Sequence, residues 1–334
     1  MNKNSVESLK RLLRPGASCV LTTHYSIDGD AIGSELALAA LLGQIGAVPH
    51  VINQDPVPRI YRFLDKENVA RPYRPSDRET ITNADVIFIV DASGWERLGP
   101  VAEVFRASSA RKVCIDHHAT NDGMADIDIC DPQAAAAGML VYDLVAALGG
   151  TITPAMARAL FVAIGTDTGW FRFSNTSPRV FDVAAELSRK GASASELSNL
   201  VYEQLRWERM ALLARGFQEF HSAAGGKIAW MVLSQEMFRE SGADDEDIEG
   251  IVDLLRTVGG VEIVLLFREA ADGKIRISMR SKSDADVSLL AQQFGGGGHA
   301  RAAGVRTSGE LAGLTQSVLR AAEDLLKGQA GPKP

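Results

Sequence analysis

The sequence predicts an α/β protein in which an N-terminal doubly wound, mainly parallel sheet is joined by a helical connector to a smaller α/β C-terminal domain. Three observations predict it. Apolar runs of strand length, Asp85-Val-Ile-Phe-Ile-Val-Asp91 and Arg111-Lys-Val-Cys-Ile-Asp116, are nearly unbroken and end in carboxylates. Helical segments alternate with such runs, and continuous apolar strands of this kind belong to parallel sheets covered on both faces. After Gly191 the chain turns polar, and beyond Gly225-Gly226 a second set of strands begins. At roughly 100–200 residues per domain, 334 residues suit two domains.

The elements follow in order. Ser18–Thr23 reads as a buried strand, Ala31–Gly46 as an Ala- and Leu-rich helix after it, and Val48–Ile52 as the returning strand. The two carboxylate-ended runs come next, then helices near Ala134–Leu148, Pro154–Gly165 and Pro178–Lys190. The last two open with proline, whose fixed φ suits a first helical turn. These residues make a first domain of 1–190, and 191–222, with a polar helical stretch over Ser195–Phe220, a connector. The second domain, 223–328, is read as strand Lys227–Leu233, an acidic helix start at Asp244–Asp247, strand Val261–Phe267, a hairpin turn at Asp272-Gly273 and strand Lys274–Met279. A tail at 329–334 is expected to be disordered.

Composition narrows the function. Hydrophobic residues make up 46% and charged ones 23%, so the chain is expected to fold unaided. No apolar run approaches the roughly 20 residues of a membrane span, and no signal-peptide segment opens the chain, so a cytoplasmic location without membrane contact is expected. Cys19, Cys114 and Cys130 have none of the spacings of a disulfide framework or zinc knuckle; Cys19 and Cys114 lie in apolar runs, as buried inert thiols do. A net charge of -7 repels long polyanions, leaving a small phosphorylated ligand that local positive charge could hold.

Four segments carry the chemistry. His24, Asp28 and Asp30 lie between a strand and a helix, Asp91 and Asp116-His117-His118 close two further strands, and Asp167 follows a helix. In an open α/β sheet the carboxyl ends of the strands are where ligands bind. Two carboxylates 4 Å apart repel by about 4 kcal/mol at an effective dielectric near 20. Asp28, Asp30, Asp91 and Asp167 therefore need cations if they converge, and their four charges balance two divalent ions of the transition type that imidazole favours. Singly, each has a plainer reading: Asp30 as a helix N-cap, a lone aspartate as a turn residue, a histidine as a structural group. A fifth segment contains Arg280, Ser281, Asp286 and the run Gly295-Gly296-Gly297-Gly298-His299. Consecutive glycines can turn their amides inward as an anion-binding nest, beside which Arg280 and His299 can hold phosphate oxygens.

Taken in order, Asp28-Gly-Asp-Ala-Ile-Gly-Ser34, Asp116-His-His118, Phe171-Arg-Phe-Ser-Asn-Thr176 and Gly295-Gly-Gly-Gly-His299 resemble the DHH-family phosphoesterases that carry a DHH-associated C-terminal domain. The likeness runs from His24 to Gly304 and is greatest in the branch of oligoribonucleases and phosphoadenosine-phosphate phosphatases. It implies one Mn²⁺ held by His24, Asp28 and a bridging Asp91, and a second held by Asp30, Asp91, His117 and Asp167. It further implies that His118 faces the scissile phosphate, that Asp116 orients the histidine ligands, and that Arg280, Ser281, Gly296, Gly297, Gly298 and His299 hold substrate phosphates from the second domain. Ser26-Ile27 departs from the proline that relatives commonly place before the first aspartate.

The expected activity is Mn²⁺-dependent phosphodiester hydrolysis of short oligoribonucleotides or linear dinucleotides to mononucleotides. Removal of the 3'-phosphate from phosphoadenosine phosphate is expected beside it. The scissile phosphorus is expected between the two domains, with a hinge in the connector. Expected partners are short RNA or small nucleotides, not long duplexes, with a homodimer implied by the resemblance. A cyclic-dinucleotide phosphodiesterase and a catalytically silent nucleotide-binding module are the rival readings.

Overall fold

A computed structural model describes residues 3–118, 122–248, 250–282 and 284–329. The chain forms two compact units that divide between Gln204 and Leu205.

The first unit holds a six-stranded, all-parallel sheet of β1 (Ser18–Thr23), β2 (Val48–Asn53), β3 (Ala70–Pro72), β4 (Val86–Val90), β5 (Arg111–Asp116) and β6 (Ile127–Cys130), in the order β3-β2-β1-β4-β5-β6. Its helices are α1 (Lys3–Leu12), α2 (Gly29–Gln44), α3 (Arg78–Thr82), α4 (Ala102–Ala107), α5 (Ala137–Ala147), α6 (Pro154–Asp167), α7 (Pro178–Arg189) and α8 (Ala194–Tyr202). Side chains alternate across the central strands. Cys19, Leu21, Phe88 and Val90 pack beneath α2, α5 and α6, whereas Val20, Ile87, Ile89 and Cys114 pack with Ile81, Leu98 and Phe105 on the other face. Burial on both faces is why these strands read as unbroken apolar runs.

Two short strands, β3 and β6, escape the periodicity because Ala70–Pro72 and Ile127–Cys130 are too short to show a period. Helix α2 begins at Gly29 rather than Ala31, because Asp28, and not Asp30, is its N-cap: the Ala31 amide donates to Asp28 Oδ1 at 3.0 Å. Helix α6 starts at Pro154 beneath a Thr153 cap and runs on to Asp167. Glycines bring α2 and α6 together. A Cβ at Gly33 would meet the Ala159 carbonyl oxygen at 2.4 Å, and one at Gly29 would meet Thr166 at 2.5 Å. The start of α2 therefore lies against the end of α6, which carries Asp167.

The second unit begins with α9 (Trp207–Gly216), β7 (Phe220–Ala223), β8 (Ile228–Leu233), α10 (Gln235–Ser241), α11 (Ile251–Leu255), β9 (Ile263–Glu269) and β10 (Ile275–Ser281). It closes with α12 (Val287–Gln292), β11 (Gly297–His299), β12 (Ala302–Thr307) and α13 (Leu311–Gln329). The sheet order is β11-β12-β10-β9-β8-β7, and β8 and β9 are its one parallel pair among the described residues. Asp272-Gly273 makes the expected hairpin between β9 and β10, with Gly273 at φ 74°. The acidic run forms a short 3₁₀ turn, Asp245–Ile248. Of residues 191–222, α8 packs into the first unit through Leu197 and Val201, while α9 packs into the second through Leu212 and Leu213. The tail beyond Gln329 lies outside the described residues.

Candidate active site

The strand order of the first sheet reverses between β1 and β4, and the crevice at such a switch point, at the carboxyl ends of the strands, is where open α/β sheets hold ligands. The residues following β1, β4 and β5 are His24, Asp91 and His117. Helix α2 adds Asp28 as its N-cap and Asp30 from its first turn, and α6 adds Asp167 from its last. All six come together.

Asp91 stands at the middle. His24 Nε2 lies 3.5 Å from its Oδ2 and His117 Nε2 lies 3.4 Å from its Oδ1. His24 Nε2 also faces Asp28 Oδ2 at 3.8 Å, and His117 Nε2 faces Asp30 Oδ2 at 3.7 Å and Asp167 Oδ2 at 3.6 Å. Two clusters of ligand atoms result, His24 with Asp28 and Asp91, and Asp30 with His117 and Asp167. Asp91 is held with φ 56°, a left-handed conformation that costs a non-glycine residue of order 1–3 kcal/mol and gathers at functional sites. Its amide donates to the Ile115 carbonyl at 2.9 Å, which ties this turn to β5.

The side chains are positioned by main-chain groups that the sequence did not announce. The Ala137 and Gly138 amides, at the N-terminus of α5, donate to Asp30 Oδ2 and Oδ1 at 2.6 and 2.9 Å, and Ser34 Oγ donates to Oδ1 at 3.1 Å. The positive end of a helix dipole thus faces this buried carboxylate. Gly138 is required there, since a Cβ would meet Ala163 at 2.7 Å. The small-residue run Ala134–Gly138 was the available signal. His24 Nδ1 lies 2.7 Å from the Tyr25 carbonyl, which accepts its proton and turns Nε2 toward the carboxylates. Beyond Asp167, Gly169, Trp170 and Phe171 all have positive φ, and Asn175 Nδ2 donates to the Asp167 and Ala135 carbonyls at 3.1 Å. The Phe171–Thr176 segment thereby fixes the backbone that carries Asp167.

Asp116 does not hold the rings of the histidines that flank Asp91. Its Oδ1 accepts from His118 Nδ1 at 2.6 Å and from the amides of His117 and His118 at 2.8 and 3.3 Å. Its partner ring is His118, whose Nδ1 is also 3.8 Å from Asp91 Oδ1.

Electrostatics mark the pocket as strained. Burial, then the charges of Asp91 and Asp167, carry Asp30 well above the usual carboxylate range, and burial with Asp91 raises Asp28. Burial opposed by His117 leaves Asp167 pushed up to about 6. Burial disfavours protonated His24 and His117, but the Asp91 carboxylate and its acidic neighbours overcome it, to about 9 and about 10. Asp91 is likewise disfavoured as an anion by burial, yet its two imidazole neighbours hold it below the ordinary range.

These residues fit divalent cations. Asp91 Oδ1 is buried and accepts no hydrogen bond, so one face of the central carboxylate lacks the partner that burial demands. Four carboxylates and two imidazoles form a donor set for transition divalents.

Arg280, Ser281 and the glycine run lie in the second unit. The Arg280 side chain points to Asp253 Oδ1 at 3.5 Å and donates to the Met279 carbonyl at 3.2 Å; Ser281 is buried at the end of β10. The glycines are not an open nest. Gly297 and Gly298 pair with Gly304 and Ala303 in a tight antiparallel hairpin, and a Cβ at Gly296 or Gly298 would strike the Gly304 or Ala302 carbonyl oxygen at 2.2 or 2.5 Å. Close strand approach, not a cradle alone, demands glycine there. His299 ends β11 opposite Ala302, and its side chain lies outside the described residues.

Parallel strands ending in carboxylates and imidazoles around a switch point, followed by a second α/β unit, suit the chemistry of a metal-dependent phosphoesterase. Residues 18–165 match the N-terminal domain of the DHH family and residues 225–328 the DHHA1 domain, and the chain belongs to the DHH family. It is 32% identical over 308 residues to the bifunctional oligoribonuclease and PAP phosphatase NrnA of Thermus thermophilus, covering 92% of this chain and 89% of that one. A crystal structure of an exopolyphosphatase-related protein from Bacteroides fragilis superposes with a TM-score of 0.91 at 25% identity, covering 98% of each chain. RecJ of Thermus thermophilus, solved with Mn²⁺, shares the fold at a TM-score of 0.56 and 14% identity, over 99% of this chain and 55% of that one.

Proposed function

We propose that this chain hydrolyses short oligoribonucleotides to mononucleotides and removes the 3'-phosphate of phosphoadenosine phosphate, using two Mn²⁺ ions. One observation carries the chemistry: Asp91 lies between two imidazoles, with one carboxylate oxygen toward each. The substrate class rests on likeness to NrnA over nine-tenths of the chain. His24, Asp28 and Asp91 would hold one ion, and Asp30, Asp91, His117 and Asp167 the other. When bound, such a pair lowers the pKa of water and stabilises attacking and leaving oxygens in phosphoryl transfer.

The chain's own groups do the remaining work. Asp30, anchored by α5, and His24, anchored by the Tyr25 carbonyl, are held in place before ions or substrate arrive. Asp116 accepts the Nδ1 proton of His118 and so orients the ring that, by likeness to the family, would face the scissile phosphate. On the resemblance to the family, and not on an open nest, Arg280, Ser281, Gly296, Gly297, Gly298 and His299 are assigned to binding substrate phosphates.

A product time course in Mn²⁺ tests this reading, with a dinucleotide, a five-unit RNA, phosphoadenosine phosphate and a cyclic dinucleotide side by side. Mononucleotides from the first two and adenosine monophosphate from the third are expected. Turnover of the cyclic dinucleotide alone would overturn the substrate assignment, and no turnover with stoichiometric nucleotide binding would overturn the catalytic one.

A further inference from the structure

A second cluster of metal-ligating side chains lies on the opposite face of the first sheet from α2 and α6, and its donors are softer. Parallel pairing of β5 and β6 sets Cys114 opposite Asp128 and Asp116 opposite Cys130. Cys114, Asp128 and Cys130 therefore project to one face of this sheet edge. Their sulfurs are 3.7 Å apart, Cys130 Sγ lies 4.0 Å from Asp128 Oδ1, and one donor atom of each residue lies within 4.8 Å of the others. Cys114 is buried, Cys130 half-buried and Asp128 exposed, so the cluster opens to solvent on the Asp128 side.

The spacing discriminates among readings. A disulfide needs sulfurs about 2.05 Å apart. Two thiolates bound tetrahedrally at about 2.3 Å from one zinc ion sit about 3.8 Å apart, and a thiolate and a carboxylate oxygen at about 2.1 Å sit about 3.6 Å apart. The sulfurs already stand at the first distance, and from Cys130 the carboxylate is a few tenths of an ångström beyond the second. A thiol–thiol hydrogen bond spans the same gap but requires no carboxylate beside it.

We propose that Cys114, Cys130 and Asp128 form a site for a soft divalent cation of the zinc type, separate from the Asp and His cluster. Thiolates select zinc-type ions over manganese, whereas the carboxylate-rich cluster around Asp91 suits manganese. The two sites would thus take different metals from the same solution. Binding exchanges two thiol protons, released to solvent, for two metal–sulfur bonds; with Asp128 ionised the loaded site carries a net charge of -1. Before loading, the hydrogen bond shared with Cys130 and burial favour the protonated Cys114 thiol.

The test uses the full-length protein under reducing conditions, saturated with Mn²⁺ and then titrated with Co²⁺. Only sulfur ligation gives the intense near-ultraviolet thiolate-to-cobalt absorption band, so cobalt at the Asp and His cluster is silent in this readout. One equivalent per chain is expected, bleached by Zn²⁺. Cys130→Ser, at a half-buried position, should weaken cobalt binding by tenfold or more and remove most of the band, and Asp128→Asn should weaken it severalfold. Cys19→Ser and Asp91→Ala should leave the band intact. Absence of the band in folded wild-type protein, or its survival unchanged in Cys130→Ser or Asp128→Asn, would overturn the site.

Discussion

Asp91 is where the chemistry and the backbone meet. Its carboxylate lies between His24 and His117 on a backbone of left-handed φ, tied to β5 by the amide it donates to the Ile115 carbonyl. Asp91→Ala should lower turnover in Mn²⁺ by at least a thousandfold and abolish the rise in melting temperature that Mn²⁺ confers on the wild type. Activity within tenfold of wild type would refute a shared ligand.

Glu35 is a second buried carboxyl, with a different consequence. Its Oε2 accepts from Asn53 Nδ2 at 2.8 Å, Asn53 Oδ1 accepts from the Thr23 amide, and Oε1 is buried without a partner. Burial pushes its carboxyl up to about 8. Between the unfolded value near 4.3 and the folded one, the unfolded chain ionises while the folded one stays neutral, so stability falls as pH rises through that window. Glu35→Gln keeps an acceptor for Asn53 and removes the titration. Its melting temperature in chelator should match wild type near pH 4 and exceed it increasingly up to pH 8. A constant offset between the two proteins over that range would sink the assignment.

Helix α2 gathers the site because its glycine-bearing face lets α6 approach. Gly33→Ala places a methyl 2.4 Å from the Ala159 carbonyl oxygen, and overpacking of this sort costs about 1–3 kcal/mol. It should also separate Asp28 and Asp30 from Asp167 and weaken Mn²⁺ binding. Gly43, in the last turn of the same helix, has open space around it. Gly43→Ala should stabilise by about 0.5–1 kcal/mol with activity unchanged. Paired denaturant melts and manganese titrations check both. Equal effects of the two substitutions would contradict close packing as the role of Gly33.

The roles proposed for the two units can be separated by mutation. Asp91 and the five residues gathered around it all belong to the first unit, and Arg280, Ser281 and the glycine hairpin belong to the second. Arg280→Ala should raise KM for a dinucleotide tenfold or more with kcat little changed and manganese stoichiometry intact, because uniform binding is lost and no ligand is removed. A fall in kcat at unchanged KM would move Arg280 from binding to the reaction itself. Among the described residues no helix is long and apolar enough to cross a membrane.

Much of this was written in local pattern. Fully buried parallel strands have no polar face, so β1, β4 and β5 showed as unbroken apolar runs, and the carboxylates and imidazoles ending them marked the site. The α/β class, and the strand ends at which His24, Asp91 and His117 lie, were legible in the sequence, because hydrophobic period and residue chemistry are local properties. It took the folded chain to show that Asp28 caps α2 while Asp30 docks on α5, that Asp116 serves His118, that the glycine run is a hairpin strand, and that Cys114 meets Cys130. Each depends on contacts between residues distant in the chain or on backbone geometry, which no periodicity of side chains encodes.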